Sequence, residues 1–220
     1  MEVKMDSLTQ TLQGCSTAGL FDVLRINKMP VVELSRAIRA LDSKMKLAGP
    51  VFPIKGRSDP EISIHESLDL FIREVLSGTP PGHVIVCQPQ DHGRSAMGDL
   101  AAEALRRRGV LGYFIDGGSR DADEIREIGF PVFCRYTSPI DIVGSWRLTD
   151  TNVPVEIDGV AVSPGDYILG DADGTLLIKA EIARFAIEET ARTMSTDSTM
   201  RTAIRSGRDP YEAFLEFGKL

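Results

Sequence analysis

Residues 98–121 read GDLAAEALRRRGVLGYFIDGGSRD, and the pattern of this stretch decides the fold. Asp99 opens a helix on which apolar Leu100, Ala101, Ala104 and Leu105 recur at helical spacing. Arg106, Arg107 and Arg108 form a basic last turn, and Gly109 supplies the stop. Val110 to Ile115 is a short apolar run, as expected of a strand buried on both faces. Residues 84–88 (VIVCQ) give the strand before the helix, so strand, helix and strand form a parallel α/β unit. In such sheets ligands gather beyond the carboxyl ends of the strands. Asp99 lies on the turn after the first strand, and Arg120 and Asp121 lie on the loop after the second. Two parallel neighbours bring a carboxylate, a guanidinium and a second carboxylate to one edge.

Each of these residues also has a purely structural reading. Asp99 is a first-turn acid of the kind the helix dipole favours, or it orients a catalytic water or proton. The N–H groups of Leu100 and Ala101 at the same helix start can hold a carboxylate. Asp121 followed by Glu124 resembles a capping box for the next helix. Magnesium, however, often takes only one or two protein carboxylates and keeps several waters. Arg120 is either a surface ion-pair partner or a bidentate clamp for a carboxylate. The residues alone leave both sets of readings open.

The rest of the chain frames this unit. Leu8 to Ile26 contains a helix entered near Ser16 or Thr17, and residues 31–42 have helix-compatible apolar spacing. Residues 47–55 (LAGPVFPIK) predict an edge or irregular strand because of their prolines. Glu66 to Leu76 reads as an amphipathic helix, Asp121 to Ile128 as a short helix closed by Gly129, and Pro131 to Arg135 as a brief strand. Tyr136 to Asn152 reads as mostly loop with one strand. Residues 153–179 predict a small antiparallel region appended to the parallel unit, with turns at Asp158-Gly159, Pro164–Asp166 and Asp171–Gly174. From Ala180 the chain is helical, with breaks at Ser195–Ser198 and Gly207–Pro210.

A length of 220 residues suits one sizeable core, and 42% hydrophobic with 26% charged residues is ordinary for a soluble globular protein. The net charge of −7 argues against nucleic acid, whose backbone calls for a basic surface. Cys15, Cys87 and Cys134 are odd in number and widely spaced, which points to buried, reduced thiols and a cytoplasmic location. No signal peptide or membrane-spanning apolar run is legible. His65, His83 and His92 lack metal-ligand spacing, although Asp91 and His92 lie on the loop leading to Asp99. Asp171–Gly174 shares its first residues with a calcium loop, but the later positions fail and a hairpin turn is the better reading. No P-loop, GxSxG or dinucleotide fingerprint is present.

Gly98-Asp99-Leu100, the twenty-residue gap and Asp116–Asp121 (DGGSRD) together closely resemble the class II pyruvate aldolases. That family acts on 4-hydroxy-4-methyl-2-oxoglutarate and 4-carboxy-4-hydroxy-2-oxoadipate, and shares a fold with the regulator of ribonuclease E activity A. Ala48-Gly49-Pro50, Gly129–Phe133 (GFPVF) and the turns at Pro164–Asp166 and Asp171–Gly174 extend the resemblance over roughly residues 16–180. The resemblance implies one α/β domain over 1–220, a swivelling β/β/α-type fold with a parallel βαβ core, antiparallel hairpins and a helical extension from about 181. It also implies a homotrimer or homohexamer with sites between subunits; the net charge and the lack of a spanning run point to no nucleic-acid or membrane partner. Asp121 would hold a divalent metal, magnesium first, with manganese or cobalt as alternatives. Arg120 would bind the 2-oxo acid, with Gly98, Leu100 and Ala101 lining its carboxylate and Asp99 positioning the water that protonates the pyruvate enolate. The implied activity is carbon–carbon lysis, with oxaloacetate decarboxylation beside it. Family members add an acid from a neighbouring subunit, for which Glu188, Glu189 and Asp197 are candidates. The rival expectation is a non-catalytic protein-binding regulator. A methyltransferase, a name also attached to the family, lacks a glycine-rich cofactor loop here.

Overall fold

The computed structural model describes residues 5–217, with the side chains of 195–199 and 217 outside that description. Helices α1 (Ser7–Gly14) and α2 (Thr17–Ile26) precede short strands β1 (Val32–Glu33) and β2 (Arg39–Ala40) and the long β3 (Leu47–Ser58). Helix α3 (Ile64–Leu70) runs into a π-helical segment (Phe71–Leu76), followed by β4 (Val84–Gln88), α4 (Asp99–Arg107), β5 (Gly112–Ile115) and β6 (Gly118–Ser119). Next come α5 (Ala122–Ile128), β7 (Val132–Cys134), β8 (Tyr136–Thr137), β9 (Trp146–Thr151), β10 (Val155–Ile157) and β11 (Val160–Val162). Strands β12 (Tyr167–Gly170) and β13 (Thr175–Ile178) lead to α6 (Ala180–Arg205) and α7 (Pro210–Phe217).

One nine-stranded sheet holds the fold together, in the order β1-β13-β12-β3-β4-β5-β7-β2 with β9 also on β3. Strands β3, β4, β5 and β7 run parallel, as the 84–115 pattern predicts. Val84 to Cys87 and Tyr113 to Ile115 are fully buried, which is why their sequence is a continuous apolar run. The three cysteines are free and buried, and no described helix is long and apolar enough to cross a membrane.

Four expectations are corrected. Residues 31–42 are not helical: their apolar residues reach distant partners, β1 pairing with β13 and β2 with β7. Strand β3 is central rather than an edge. Pro53 is tolerated because it stands between the last β12 partner, Pro50, and the first β9 partner, Ile54, where the ladder changes hands. The β12–β13 hairpin is no appendage; through β3 it continues the main sheet, whereas β10–β11 stands apart as a type I′-like hairpin with positive φ at Asp158 and Gly159, and β6 pairs separately with β8. Helix α6 runs unbroken through 195–198, because Ser, Thr and Asp weaken a helix without stopping it as Gly or Pro would. The break at Gly207 holds, with φ at 88°.

Candidate active site

Strands β4 and β5 are parallel neighbours, so the loops leaving their carboxyl ends meet. Backbone hydrogen bonds join them: Ala96 N–H donates to the Gly118 carbonyl at 2.9 Å and Arg120 N–H to the Met97 carbonyl at 2.9 Å. Ser119 Oγ also donates to Met97, at 3.3 Å. The contact requires glycine at 118, where a Cβ would stand 2.8 Å from the Arg94 carbonyl, and at 98 it leaves no room for a Cβ unless the Asp121 carboxylate moves. A Cβ on Gly118 would meet the Tyr136 ring at 2.5 Å, and one on Gly98 would meet Asp121 Oδ2 at 2.7 Å. Asp116, buried at the start of the second loop, is anchored by an ion pair to Arg135.

This junction places Arg120 between two carboxylates. Its Nε lies 3.3 Å from Asp121 Oδ2, and its Nη1 lies 2.6 Å from Asp141 Oδ2. Asp141 is itself fixed, its Oδ1 accepting the Val143 N–H at 3.1 Å. Asp121 has left-handed backbone angles, φ 54° and ψ 45°, a conformation aspartate tolerates better than most residues. It stands at the N-cap position of α5 yet makes no side-chain cap bond there. The capping-box reading is therefore corrected: the carboxylate turns instead toward the start of α4 and accepts the Asp99 N–H at 3.3 Å.

The start of α4 supplies the remaining donors. Its first helical hydrogen bond runs from Ala102 N–H to the Gly98 carbonyl, so the N–H groups of Asp99, Leu100 and Ala101 have no acceptor within the helix. Asp121 takes the first of the three. Leu100 and Ala101 N–H remain where the positive end of the helix favours an anion. The Asp99 carboxylate is half-buried and makes no hydrogen bond or ion pair with the described residues.

Gly98, Asp99, Leu100, Ala101, Arg120 and Asp141 all line one cavity of about 270 Å³. Asp121 does not; it lies on the other side of the Arg120 side chain, in a second depression of about 320 Å³ that Arg120 also lines. Five of the six residues singled out from sequence thus share a cavity, and the sixth touches it through Arg120. The sequence reading missed Asp141. Its only signal is its place in a segment, 136–152, that lacks periodicity. The buried Asp91 carboxylate accepts N–H bonds from Gly93 and Arg94 and pairs with the Arg94 guanidinium at 2.7 Å, holding its own loop. Burial pushes the Asp91 carboxyl up, but these donors outweigh it and hold the pKa below the usual value. Among the described residues, no three His, Cys, Asp or Glu side chains gather as metal ligands. Glu188 and Glu189 pair with Arg184 and Arg192 on their own helix, and the Asp197 side chain lies outside the described residues.

Comparison with known proteins bears on this arrangement. The chain is 24% identical over 186 residues to a Halalkalibacterium halodurans protein named "Putative 4-hydroxy-4-methyl-2-oxoglutarate aldolase", covering 84% of this chain and 85% of that one. It is 30% identical over 210 residues to protein DlpA of Legionella pneumophila, covering 92% of this chain but 32% of that longer protein. Among solved structures, one of a Pseudomonas syringae protein superposes with a TM-score of 0.80 at 22% identity, covering 96% of this chain and 99% of that one. Streptomyces coelicolor RraAS2, described as an unusual member of the RNase ES inhibitor RraA family, superposes at 0.75 with 27% identity, covering 90% and 99%. The family model that matches residues 17–177 is RraA-like, Aldolase/RraA, and the chain belongs to that family.

Proposed function

We propose that this protein is a divalent-metal-dependent carbon–carbon lyase that cleaves a 4-hydroxy-2-oxo acid and releases pyruvate, with oxaloacetate decarboxylation as a side activity. The observation that carries the reading is the meeting of Arg120, Asp99 and the unpaired N–H groups of Leu100 and Ala101 on one cavity. The aldolase name borne by a relative supports it.

The residues present fit a divalent metal of the magnesium kind. Asp121 and Asp141 flank a single guanidinium and Asp99 lines the same cavity as Arg120, a formally acidic set facing a substrate that is itself an anion. One or two carboxylates with water are enough for magnesium, so the lack of a three-ligand cluster among the described residues is no obstacle. Asp121 would hold the ion beside Arg120, the side chain that lines both depressions, and a bound ion would supply Lewis-acid stabilisation of charge developing on a 2-oxo acid bound at that junction.

The chain's own groups do the rest. Leu100 and Ala101 N–H bind the substrate carboxylate and so fix the 2-oxo acid in the cavity. Arg120, held by Asp121 on one side and Asp141 on the other, presents its remaining donors to the 2-oxo oxygen. When the 4-hydroxyl passes its proton to a water in the cavity, the C3–C4 bond breaks, its electron pair moves to the pyruvate enolate, and the acceptor half leaves as a carbonyl compound. Asp99 orients a water that returns a proton to C3, balancing the one lost from the hydroxyl. Preorganised charge of this kind accounts for factors of about 10² to 10³ per donor in other enzymes.

Pyruvate release from 4-hydroxy-4-methyl-2-oxoglutarate, 4-carboxy-4-hydroxy-2-oxoadipate and oxaloacetate, with magnesium and after chelation, tests the reading. Magnesium-dependent release from a hydroxy acid is expected. A second reading, a non-catalytic regulator, draws on the similarity to RraAS2. It predicts no release from any of the three.

A further inference from the structure

Three segments of the chain meet at Ser95. It stands on the loop after β4 and forms bridge pairs with Gly118 on the loop after β5 and with Asp141 on the segment after β8. That last segment is held in two stretches. As far as Ser138 it runs beside the second loop: β8 pairs with β6, and Ser138 N–H donates to the Ser119 carbonyl at 3.0 Å. Pro139 has no N–H to continue the pattern, and from there Ser95 takes over. Ser95 N–H donates to the Ile140 carbonyl at 2.8 Å, Ile142 N–H donates to the Ser95 carbonyl at 3.2 Å, and Ser95 Oγ donates to the Ser138 carbonyl at 2.5 Å. Among the described residues, the other hydrogen bond from 139–143 to a distant segment is the ion pair of Asp141 with Arg120.

Any residue could make the two main-chain bonds; the hydroxyl is what distinguishes serine at 95. The residue is buried and lines the cavity together with Arg120 and Asp141. Its proton is committed to a carbonyl rather than shared with a base, which separates it from an activated nucleophile. The bond instead pins Ser138, the residue from which the chain turns toward Asp141. Three residues on, the Asp141 carboxylate meets Arg120 Nη1 at 2.6 Å. Both partners of that pair are only half-buried, and such pairs hold a side chain weakly unless the geometry around them is fixed. Ser95 supplies the fixed geometry on the Asp141 side.

We infer that Ser95 is a positioning residue of this site: its hydroxyl sets the turn from Ser138 to Asp141 and, through Asp141, the direction in which Arg120 presents its donors to a bound 2-oxo acid. The inference rests on the lyase reading for the identity of the ligand. Ser95 acts through Asp141 and takes no part in the chemical step.

A double-mutant cycle read by calorimetric titration tests the linkage without turnover, with pyruvate in magnesium as the probe. The four proteins are the unaltered chain, Ser95→Ala, Asp141→Asn and the double variant. Ser95→Ala removes a single oxygen atom and is expected to leave circular dichroism unchanged while weakening pyruvate binding by about three- to tenfold. The double variant is expected to bind pyruvate about as weakly as Asp141→Asn alone, a coupling that simple loosening of the loop would not give. In pyruvate release, Ser95→Ala should raise KM by the same factor and lower kcat by no more than about twofold. Pyruvate affinity unchanged in Ser95→Ala, or losses that multiply in the double variant, overturn the inference and leave the lyase reading standing. No binding of pyruvate by the unaltered, magnesium-loaded protein overturns both.

Discussion

The charged and the apolar residues that line the cavity are held in different ways. Around the charged ones, two loops are joined by main-chain hydrogen bonds, two glycines permit the contact, and a left-handed aspartate turns its carboxylate back toward a neighbouring helix. Among the apolar ones, carbon side chains on one helical face form a wall. Backbone geometry tolerates little change, whereas a packed wall tolerates volume-conserving replacement. The charged residues are suited to fixed chemistry, and the apolar ones to variation in packing.

The largest effects are expected at the charged residues. Arg120→Ala and Asp121→Ala should each lower kcat/KM for pyruvate release by about 10³-fold or more, with circular dichroism and thermal melting close to those of the unaltered protein. Gly98→Ala should come next, near 10²-fold, because its Cβ would stand 2.7 Å from Asp121 Oδ2 and displace the carboxylate or Arg120. If Gly98→Ala keeps full activity, the tight junction is not what positions the pair.

Asp141→Asn should be milder. Losing one of the two carboxylates that hold the guanidinium should raise KM more than it lowers kcat, since Arg120 would keep its contact with Asp121. Steady-state kinetics that show kcat falling while KM stays fixed would instead place Asp141 in the chemical step. Among the apolar residues, Leu76→Met should leave turnover within about twofold, the contrast that separates a wall from a machine part.

The smallest effect is one of stability and pH. The Asp91 carboxyl is held below its usual pKa by the Gly93 and Arg94 N–H groups and the Arg94 guanidinium, against the opposing effect of burial. A depressed folded pKa gives stability that is present above the unfolded value, about 3.9, and lost as pH falls through the folded one. Asp91→Asn should therefore lower Tm at neutral pH, and the gap should close in acid. A gap that is constant from pH 7 to about 2 would show that the carboxylate's charge is not what holds the loop.

How much of this was legible in the sequence depends on the range of the interactions. The β4–α4–β5 unit could be read because its period and its stop signal are local. The meeting of Asp99, Arg120 and Asp121 followed from parallel topology alone. Short strands such as β1 and β2 could not be read, since only distant partners make them strands. The Pro53 reading failed for the same reason: whether a proline is tolerated depends on which neighbour stands opposite. Asp141 was hidden in a segment without a period, and its role is visible only once Arg120 has a position. The side of Arg120 on which Asp121 falls depends on one left-handed residue, which its sequence neighbours do not specify.

The most direct test of the lyase account needs no knowledge of the true substrate. Pyruvate incubated with the protein and magnesium in D₂O should exchange its methyl protons for deuterium, followed as loss of the methyl signal by proton NMR. The account predicts exchange well above the buffer rate, abolished by chelation and by Arg120→Ala. Exchange no faster than buffer in the intact, magnesium-loaded protein would contradict it, because a site that cannot form the pyruvate enolate cannot release pyruvate by this route.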